Sequence, residues 1–188
     1  MAMRERTRQK ILDAADDLFF TGGIAATPID AVIRRAGVSA ATLYRGFDGK
    51  DGVLAAALSR RHEAWLQAWD AAVSAADTPE GRLLAVFDAL DAFRQRPLGS
   101  RWCAFLGSAA EFADPPASVA RAVQHDTDTM RARLTELASE VDAARADDLA
   151  DALLLVVTGD LAMRLRDPAH STATARAVAR ALVATAAE

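Results

Sequence analysis

Hydroxyl-bearing and cationic side chains lie close together in residues 39–50. Thr42, Tyr44 and Arg45 are near neighbours in the sequence, and Lys50 follows shortly after them. Cations neutralise nucleic-acid phosphates and release counterions, while hydroxyl groups hydrogen-bond phosphate oxygens and fix the register of a protein on the backbone. This combination of side chains is typical of a surface that contacts DNA.

The charge of the chain is unevenly distributed around an overall value of −4. Residues 1–50 hold eight Lys or Arg and six Asp or Glu, a net charge of +2, whereas the remainder holds 14 and 20, a net charge of −6. The basic amino-terminal part and the acidic remainder are expected to have different partners. The cations that would contact DNA phosphates at the amino terminus are Arg4, Arg6 and Arg8.

These side chains are predicted to lie on and around two short helices joined by a tight turn. Thr27 is a candidate N-cap for the first helix, and Pro28 fits its first position. Gly37 predicts a left-handed helix stop, and Ser39 an N-cap for the next helix, residues 40–45. An ordinary helical hairpin gives a similar pattern, but the basic residues favour a helix-turn-helix that reads DNA.

The second short helix offers little hydrogen-bonding chemistry to bases. Its side chains are free to reach base edges in the major groove, but Ala40 and Ala41 present only methyl groups, and Gly46 presents no side chain. We therefore expect few direct hydrogen bonds to bases, with a large share of recognition from phosphate contacts and DNA shape.

The whole chain is predicted to be all-α, with about nine helices. Alanine is abundant, aromatic residues are sparse, and the six prolines and ten glycines lie mostly between segments of helical periodicity. Residues 1–50 would form a three-helix DNA-binding domain, and residues 51–188 a helical ligand-binding and dimerisation domain. A long helix that starts near Asp48 would connect the two.

The composition favours a soluble cytoplasmic protein. The single cysteine, Cys103, excludes an internal disulfide, and the amino terminus has no apolar signal core. The longest wholly apolar run, residues 152–157, is far shorter than the roughly 20 residues of a membrane span. Since no Gly-rich phosphate loop, Cys/His metal spacing or nucleophile elbow is present, we predict no enzyme activity, catalytic residue, metal site or cofactor.

A ligand pocket is predicted in the larger domain from its aromatic residues. Three tryptophans in a chain rich in small residues suggest the walls of a cavity, although each could simply be core. A buried acid needs a partner, so Asp160 should pair with an arginine such as Arg164 or face a ligand. His62, beside Arg60 and Arg61, is expected to be solvated. The candidate pocket residues are Trp65, Trp69, Phe87, Trp102, Phe105, Phe112, His125, Met130 and Asp160.

The last two predicted helices are expected to form a subunit interface. The first of them is apolar on more than one side, and the second is rich in alanine, which permits close helix approach. A four-helix bundle across a two-fold axis would bury both, whereas the alternative is a core helix and a surface helix in a monomer. The candidate interface residues are Leu153, Val156, Val157, Val178 and Leu182.

The turn and the second short helix resemble the DNA-binding signature of the TetR family of transcriptional regulators. The similarity is specific over about residues 8–58 and weak beyond them. It rests on the Ala-Gly-Val-Ser turn of residues 36–39 and on Thr42, Leu43, Tyr44, Phe47 and Lys50.

This resemblance implies a homodimer that binds palindromic operator DNA, usually as a repressor, and releases it when a small-molecule effector binds. Residues 39–45 would lie in the major groove, and Thr27, Tyr44 and Lys50 would hold phosphates. The chain departs from the family pattern at Ile33, where a small residue is usual, and at Gly46, where a histidine or other bulky residue is usual. The alternative is a helical ligand-binding or interaction protein without specific DNA recognition.

Overall fold

The computed structural model describes residues 3–96, 103–167 and 169–185, and this part of the chain is all-helical, as predicted. A short 3-10 helix, Ala143–Arg145, precedes the eighth α-helix. The α-helices within the described residues are α1 (Glu5–Gly22), α2 (Ile29–Ala36), α3 (Ala40–Gly46), α4 (Gly49–Ser74), α5 (Pro79–Arg94), α6 (Ala104–Glu111), α7 (Ala117–Ser139), α8 (Ala146–Arg166) and α9 (Ala173–Ala184).

The described residues form two compact units. The first consists of Met1–His62 with Ala104–Gln124, and the second of Glu63–Cys103 with His125–Glu188. Helix α4 passes from the first unit into the second at His62. The division at residue 50 drawn from the sequence lies inside the first unit, and as a functional boundary it remains a proposal. None of the helices in the described part of the chain is long and apolar enough to cross a bilayer.

The core of the first unit is built by α1, α2 and α3 together with the start of α4. The apolar stripe of α1 packs against α2, and Leu43 of α3 lies fully buried with them. Burial of each such side chain contributes about 1.5–3 kcal/mol, which makes a helix as short as α3 stable in its context. The buried side chains include Ile11, Leu12, Phe19, Ile24, Val32, Leu43, Leu54 and Leu58.

Three expectations for the first unit are wrong, and one of them is the place of Pro28, which is the N-cap residue of α2 rather than its first helical residue. Thr27 is not an N-cap, because Pro28 occupies the capping position of α2 and the hydroxyl of Thr27 lies 2.7 Å from the carbonyl of Gly23 instead. His62 is buried rather than solvated, and its ring lies edge-on to Phe105 with centroids 6.3 Å apart. Its basic neighbours in the sequence suggested a solvated face, but that face of α4 meets other parts of the same unit.

The aromatic residues predicted to line a pocket are divided by the structure. Trp65, Trp69, Phe87 and Met130 belong to the buried core cluster of the second unit. The rings of Trp65 and Trp69 are 5.5 Å apart between centroids, so they fill space against each other. Phe105 and Phe112 belong to the first unit, and Trp102 lies outside the described residues.

An open groove of about 780 Å³ does lie on the second unit, but it has no aromatic lining. Asp70, Arg82, Arg133, Glu136 and Glu140 contribute to its walls. Its charges are largely paired, since Arg82 contacts Glu140 at 2.5 Å and Arg133 contacts Asp70. This groove therefore differs in chemistry from the aromatic pocket that the sequence predicts.

Asp160 is paired with an arginine, one of the two alternatives predicted for it. Its side chain is fully buried, with one oxygen 3.0 Å from Nη2 of Arg164 and the other 2.9 Å from Nε2 of His170. These contacts connect α8 to the segment that precedes α9. His125, by contrast, lies at an exposed position on α7.

The candidate interface residues fall into two groups. Leu153 and Val157 are fully buried in the core of the second unit, so they offer no surface to a partner and their assignment is corrected to core. Val156 and Leu182 are half-buried, and Val178 is 45% exposed. The sequence reasoning missed Leu155 and Met163, which are 74% and 43% exposed on α8.

Candidate nucleic-acid interface

Glycine and serine position the two short helices of the candidate interface. Gly37 ends α2 with a left-handed φ of 63°, and its N–H donates to the carbonyl of Arg34 at 3.2 Å. Ser39 begins α3, because its side chain accepts a hydrogen bond from the N–H of Thr42 at 3.2 Å. A left-handed position disfavours residues with a Cβ atom, so glycine suits the point where α2 ends. The predicted stop at Gly37 and N-cap at Ser39 are confirmed.

Helix α3 buries one face and exposes the other. Leu43 and, just after the helix, Phe47 point into the core, which fixes the rotation of the helix about its axis. Tyr44 is 56% exposed, an unusual position for a large aromatic side chain, and Arg45 is exposed beside it. The structure therefore leaves the following predicted DNA contacts accessible on or next to α3: Ser39, Ala40, Ala41, Tyr44 and Arg45, with Thr42 half-buried.

The remaining predicted contacts lie on neighbouring elements. Lys50 is half-buried in the first turn of α4, with its ammonium group 5.9 Å from the ring centre of Phe19. Thr27 is buried in the α1–α2 turn, where its hydroxyl already has carbonyl partners. Among the predicted phosphate contacts, Thr27 is thus the least accessible in the DNA-free protein.

The basic amino terminus is part of α1 rather than an extended arm. Helix α1 begins at Glu5, so Arg4 occupies its N-cap position and Arg6 and Arg8 lie in its first two turns. Arg4 and Arg6 are exposed, and the Arg8 guanidinium lies 5.2 Å from the centre of the Phe47 ring. The cations are therefore carried next to the end of α3.

A buried ion cluster holds α1 to α4 inside the first unit. Asp16 of α1 contacts both Arg60 and Arg61 of α4, with its Oδ1 atom 3.1 Å from Nε of Arg61. Burial raises the pKa of the Asp16 carboxyl above its usual value, and the hydrogen bond from Arg60 and the charge of Arg61 oppose that rise. This cluster has no local sequence pattern, because its acid and its arginines are far apart along the chain.

Glu111, the last residue of α6, holds the turn between α1 and α2. Its carboxylate accepts hydrogen bonds from the backbone N–H groups of Ile24 and Ala25 at 3.2 and 3.0 Å. This contact lies within the first compact unit, because it joins residues 104–124 to residues 1–62. Sequence reasoning assigned Glu111 no such role, since a carboxylate that caps a distant turn leaves no local pattern.

Replacing Glu111 with alanine should loosen the α1–α2 turn. Two charge-assisted hydrogen bonds at a partly exposed site contribute together about 1–2 kcal/mol, so the amides of Ile24 and Ala25 should exchange about tenfold faster. Hydrogen exchange followed by NMR would measure this. Glu111→Gln, which keeps an acceptor oxygen but loses the charge, should give an intermediate rate; unchanged exchange in both variants would contradict the assignment.

Comparison with known proteins agrees with this geometry. Residues 11–57, which contain the helix-turn-helix, match the family model described as "Bacterial regulatory proteins, tetR family". Over almost the whole chain, the structure resembles the crystal structure of a TetR-family transcriptional regulator from Streptomyces coelicolor, with a TM-score of 0.88, 28% identity, and coverage of 98% of this chain and 91% of that one.

Residues 11–57 thus match a TetR-type regulatory domain, and the fold of the described residues is similar to that of a TetR-family regulator.

Curated relatives match only part of the chain. The HTH-type transcriptional repressor KstR of Mycolicibacterium smegmatis is 40% identical over 95 residues, 50% of this chain and 46% of that protein. The HTH-type transcriptional regulator SrpR of Pseudomonas putida is 44% identical over 62 residues, 32% of this chain and 29% of that protein. These matches span less than half the length of either relative. The proteins that this chain resembles are transcriptional regulators.

Proposed function

We propose that the chain is a transcriptional repressor that binds palindromic operator DNA as a homodimer and is released by a small-molecule effector. The observation that supports this proposal is the accessible face of α3. Tyr44 and Arg45 are exposed there, while Leu43 is buried in the core. A short helix whose outer side chains have no role in packing fits a recognition helix in the major groove.

The phosphate contacts would surround this helix. Tyr44, Lys50 and the cations Arg4 and Arg6 supply hydroxyl and positive groups on three adjacent elements of the first unit. Thr27 would join them only if its hydroxyl exchanged a carbonyl partner for a phosphate oxygen. Because α3 carries few groups that read bases, shape and phosphate contacts would contribute much of the specificity.

The homodimer would form through α8 and α9. The exposed apolar side chains of the described chain are concentrated there, with Leu155, Met163, Leu165 and Val178 each exposed by more than two fifths. Exposed large apolar side chains on two adjacent helices are typical of a subunit interface. A two-fold axis through it would bring two copies of α3 to the two half-sites of a palindrome.

The effector would bind in the second unit beside Trp65 and Trp69. Their indole Nε1 atoms are buried and donate to no other described residue, so a ligand with acceptor groups could satisfy both. Helix α4 is continuous from Gly49 to Ser74 and contributes to both units. A ligand that displaced α4 would change the separation of the two copies of α3 in the dimer. The coupling free energy between ligand binding and DNA binding would be about 1–3 kcal/mol.

The proposal is tested by asking whether the chain discriminates between DNA sequences. A duplex selected by the purified protein from a random library should bind at least about 1,000-fold more tightly than a scrambled duplex at the same salt concentration. Equal affinity for both duplexes would overturn the proposal of a repressor. The alternative, a helical ligand-binding or interaction protein without specific DNA recognition, would then remain.

Tyr44→Ala should weaken operator binding about tenfold, since the variant loses a phosphate hydrogen bond and the ring contact beside it. Fluorescence anisotropy with the selected duplex would measure the loss. Tyr44→Phe is the matched control, because it removes only the hydroxyl and should lose about half as much free energy. The side chain is largely exposed, so the unfolding midpoint should not change; full affinity in Tyr44→Ala would show that α3 is not the reading element.

A further inference from the structure

Gly46, the last residue of α3, lies directly beneath the side chain of Met3. A Cβ atom at position 46 would overlap the methyl group of Met3 and approach its sulfur to 3.0 Å and its Cβ to 3.4 Å. The space that a side chain at position 46 would occupy is therefore already filled from the amino terminus. This accounts physically for a glycine at position 46.

A second contact joins the same two segments. The Arg8 guanidinium lies over the ring of Phe47, the residue that follows Gly46, at 5.2 Å from the ring centre. Between the two contacts, the carbonyl of Arg4 accepts hydrogen bonds from the N–H groups of Thr7 and Arg8 at 2.9 and 3.1 Å, which closes the first turn of α1. The start of α1 is thus held against the end of α3 on both sides of its first turn.

This start needs such support. Arginines near the amino end of a helix lie against the positive end of its macrodipole, and the N-cap residue Arg4 makes no side-chain cap hydrogen bond. Glu5 in the first turn offsets part of this, and a contact outside the helix adds further support. Methionine suits the contact because its flexible thioether adapts to an irregular apolar surface.

We propose that the Met3–Gly46 contact is a positioning device that fixes the first turn of α1 beside the recognition helix and so presents Arg4 and Arg6 to DNA phosphates in a set register. The inference rests on the proposed function, since it assigns these residues a part in DNA binding. Holding the cations in place before binding lowers the entropy lost when they contact phosphates. Glycine at position 46 is then a requirement of the docked amino terminus.

The test uses Gly46→Ala, Met3→Ala and the double variant. Alanine at position 46 displaces only the end of a flexible side chain, so α3 should stay folded, and Met3→Ala removes the contact without changing α3. Gly22→Ala is the matched control, because Gly22 is the last residue of α1 and a Cβ there meets only the Thr27 hydroxyl at 3.8 Å.

Two measurements are expected to change together. In the DNA-free protein, the amides of Thr7 and Arg8 should exchange about fivefold faster in both single variants. On DNA, the slope of log affinity against log salt is negative, and its magnitude should decrease by about 1 to 2, the value for one or two lost phosphate contacts. The double variant should resemble the single variants, because each removes the same contact. Gly22→Ala should match the wild type in both measurements.

Three outcomes would overturn the inference: wild-type exchange rates in Gly46→Ala, faster exchange with an unchanged salt slope, or losses in the double variant that equal the sum of the single ones. The salt slope is also measurable on the scrambled duplex, because phosphate contacts do not depend on sequence. A chain that fails to discriminate between duplexes would therefore overturn the proposed function, while the slope would still decide the role of Met3 and Gly46.

Discussion

Leu155→Arg should convert the proposed homodimer into a monomer. Leu155 is 74% exposed on α8, the largest exposure among the large apolar side chains of the described chain. A two-fold interface places the same patch on both subunits, so the substitution would bury two unpaired guanidinium groups close to each other. We expect the dimer dissociation constant to rise at least about 100-fold, equivalent to about 3 kcal/mol. Sedimentation velocity at micromolar concentration would measure it.

Loss of the dimer should also weaken operator binding far more than any single contact on α3. When one α3 of a dimer binds its half-site, the second α3 has a high effective concentration at the other half-site. A monomer loses that advantage. Ala71→Arg, which adds the same charge at an exposed position of α4, serves as the control and should remain dimeric. A dimeric Leu155→Arg variant would show that the interface lies elsewhere.

Helix α8 shows where reasoning from sequence succeeds and where it stops. Its boundaries and its unusually wide apolar surface are visible in the sequence, but periodicity does not say which apolar side meets the same chain. The structure buries Leu149, Leu153 and Val157, and the same face continues through Asp160 and Arg164. Arginine at position 153 would consequently damage the core of the unit and reveal nothing about the dimer.

Local turn chemistry was predictable because it depends on neighbours in the sequence. Gly37 and Ser39 act through hydrogen bonds that span only a few residues, so the limits of α2 and α3 follow from residue type. The N-cap prediction for Thr27 is wrong because its hydroxyl can bond in either direction along the chain. It donates to carbonyl groups at the end of α1 rather than accepting from an N–H group of α2.

Contacts between distant residues account for most of what the sequence did not reveal. Asp16 is buried because Arg60 and Arg61 reach it from α4. The same two arginines led to the wrong prediction that their neighbour His62 is solvated. The contact of Met3 with Gly46 likewise joins the start of α1 to the end of α3. In each case the composition of one segment is explained only by a second segment that packs on it.

Asp160→Ala should destabilise the second unit by about 3–5 kcal/mol, the usual cost of breaking a buried ion pair from one side. The Asp160 side chain is 0% exposed and that of Arg164 is 5% exposed. Without Asp160, the nearest remaining carboxylate is that of Asp91, 3.6 Å from the Arg164 Nη2 atom. His170 would lose its partner on α8 as well, so the segment that leads into α9 would be held less firmly.

Denaturant unfolding followed by tryptophan fluorescence would measure this loss. Asp151→Ala is the matched control, because Asp151 also lies on α8 and pairs with Arg131 at 2.7 Å, but its side chain is 64% exposed. Exposed pairs contribute about 0–1 kcal/mol, so the control should be close to the wild type. Equal losses in the two variants would contradict a buried pair.

The double variant Asp160→Leu with Arg164→Leu identifies the cause of the loss. Replacing both members of a buried pair with apolar groups is often neutral or stabilising, because neither charge then has to be desolvated. If the double variant recovers most of the stability lost in Asp160→Ala, the loss came from an uncompensated Arg164 charge. If it does not, the carboxylate of Asp160 acts chiefly through His170, and α9 depends on that hydrogen bond for its position.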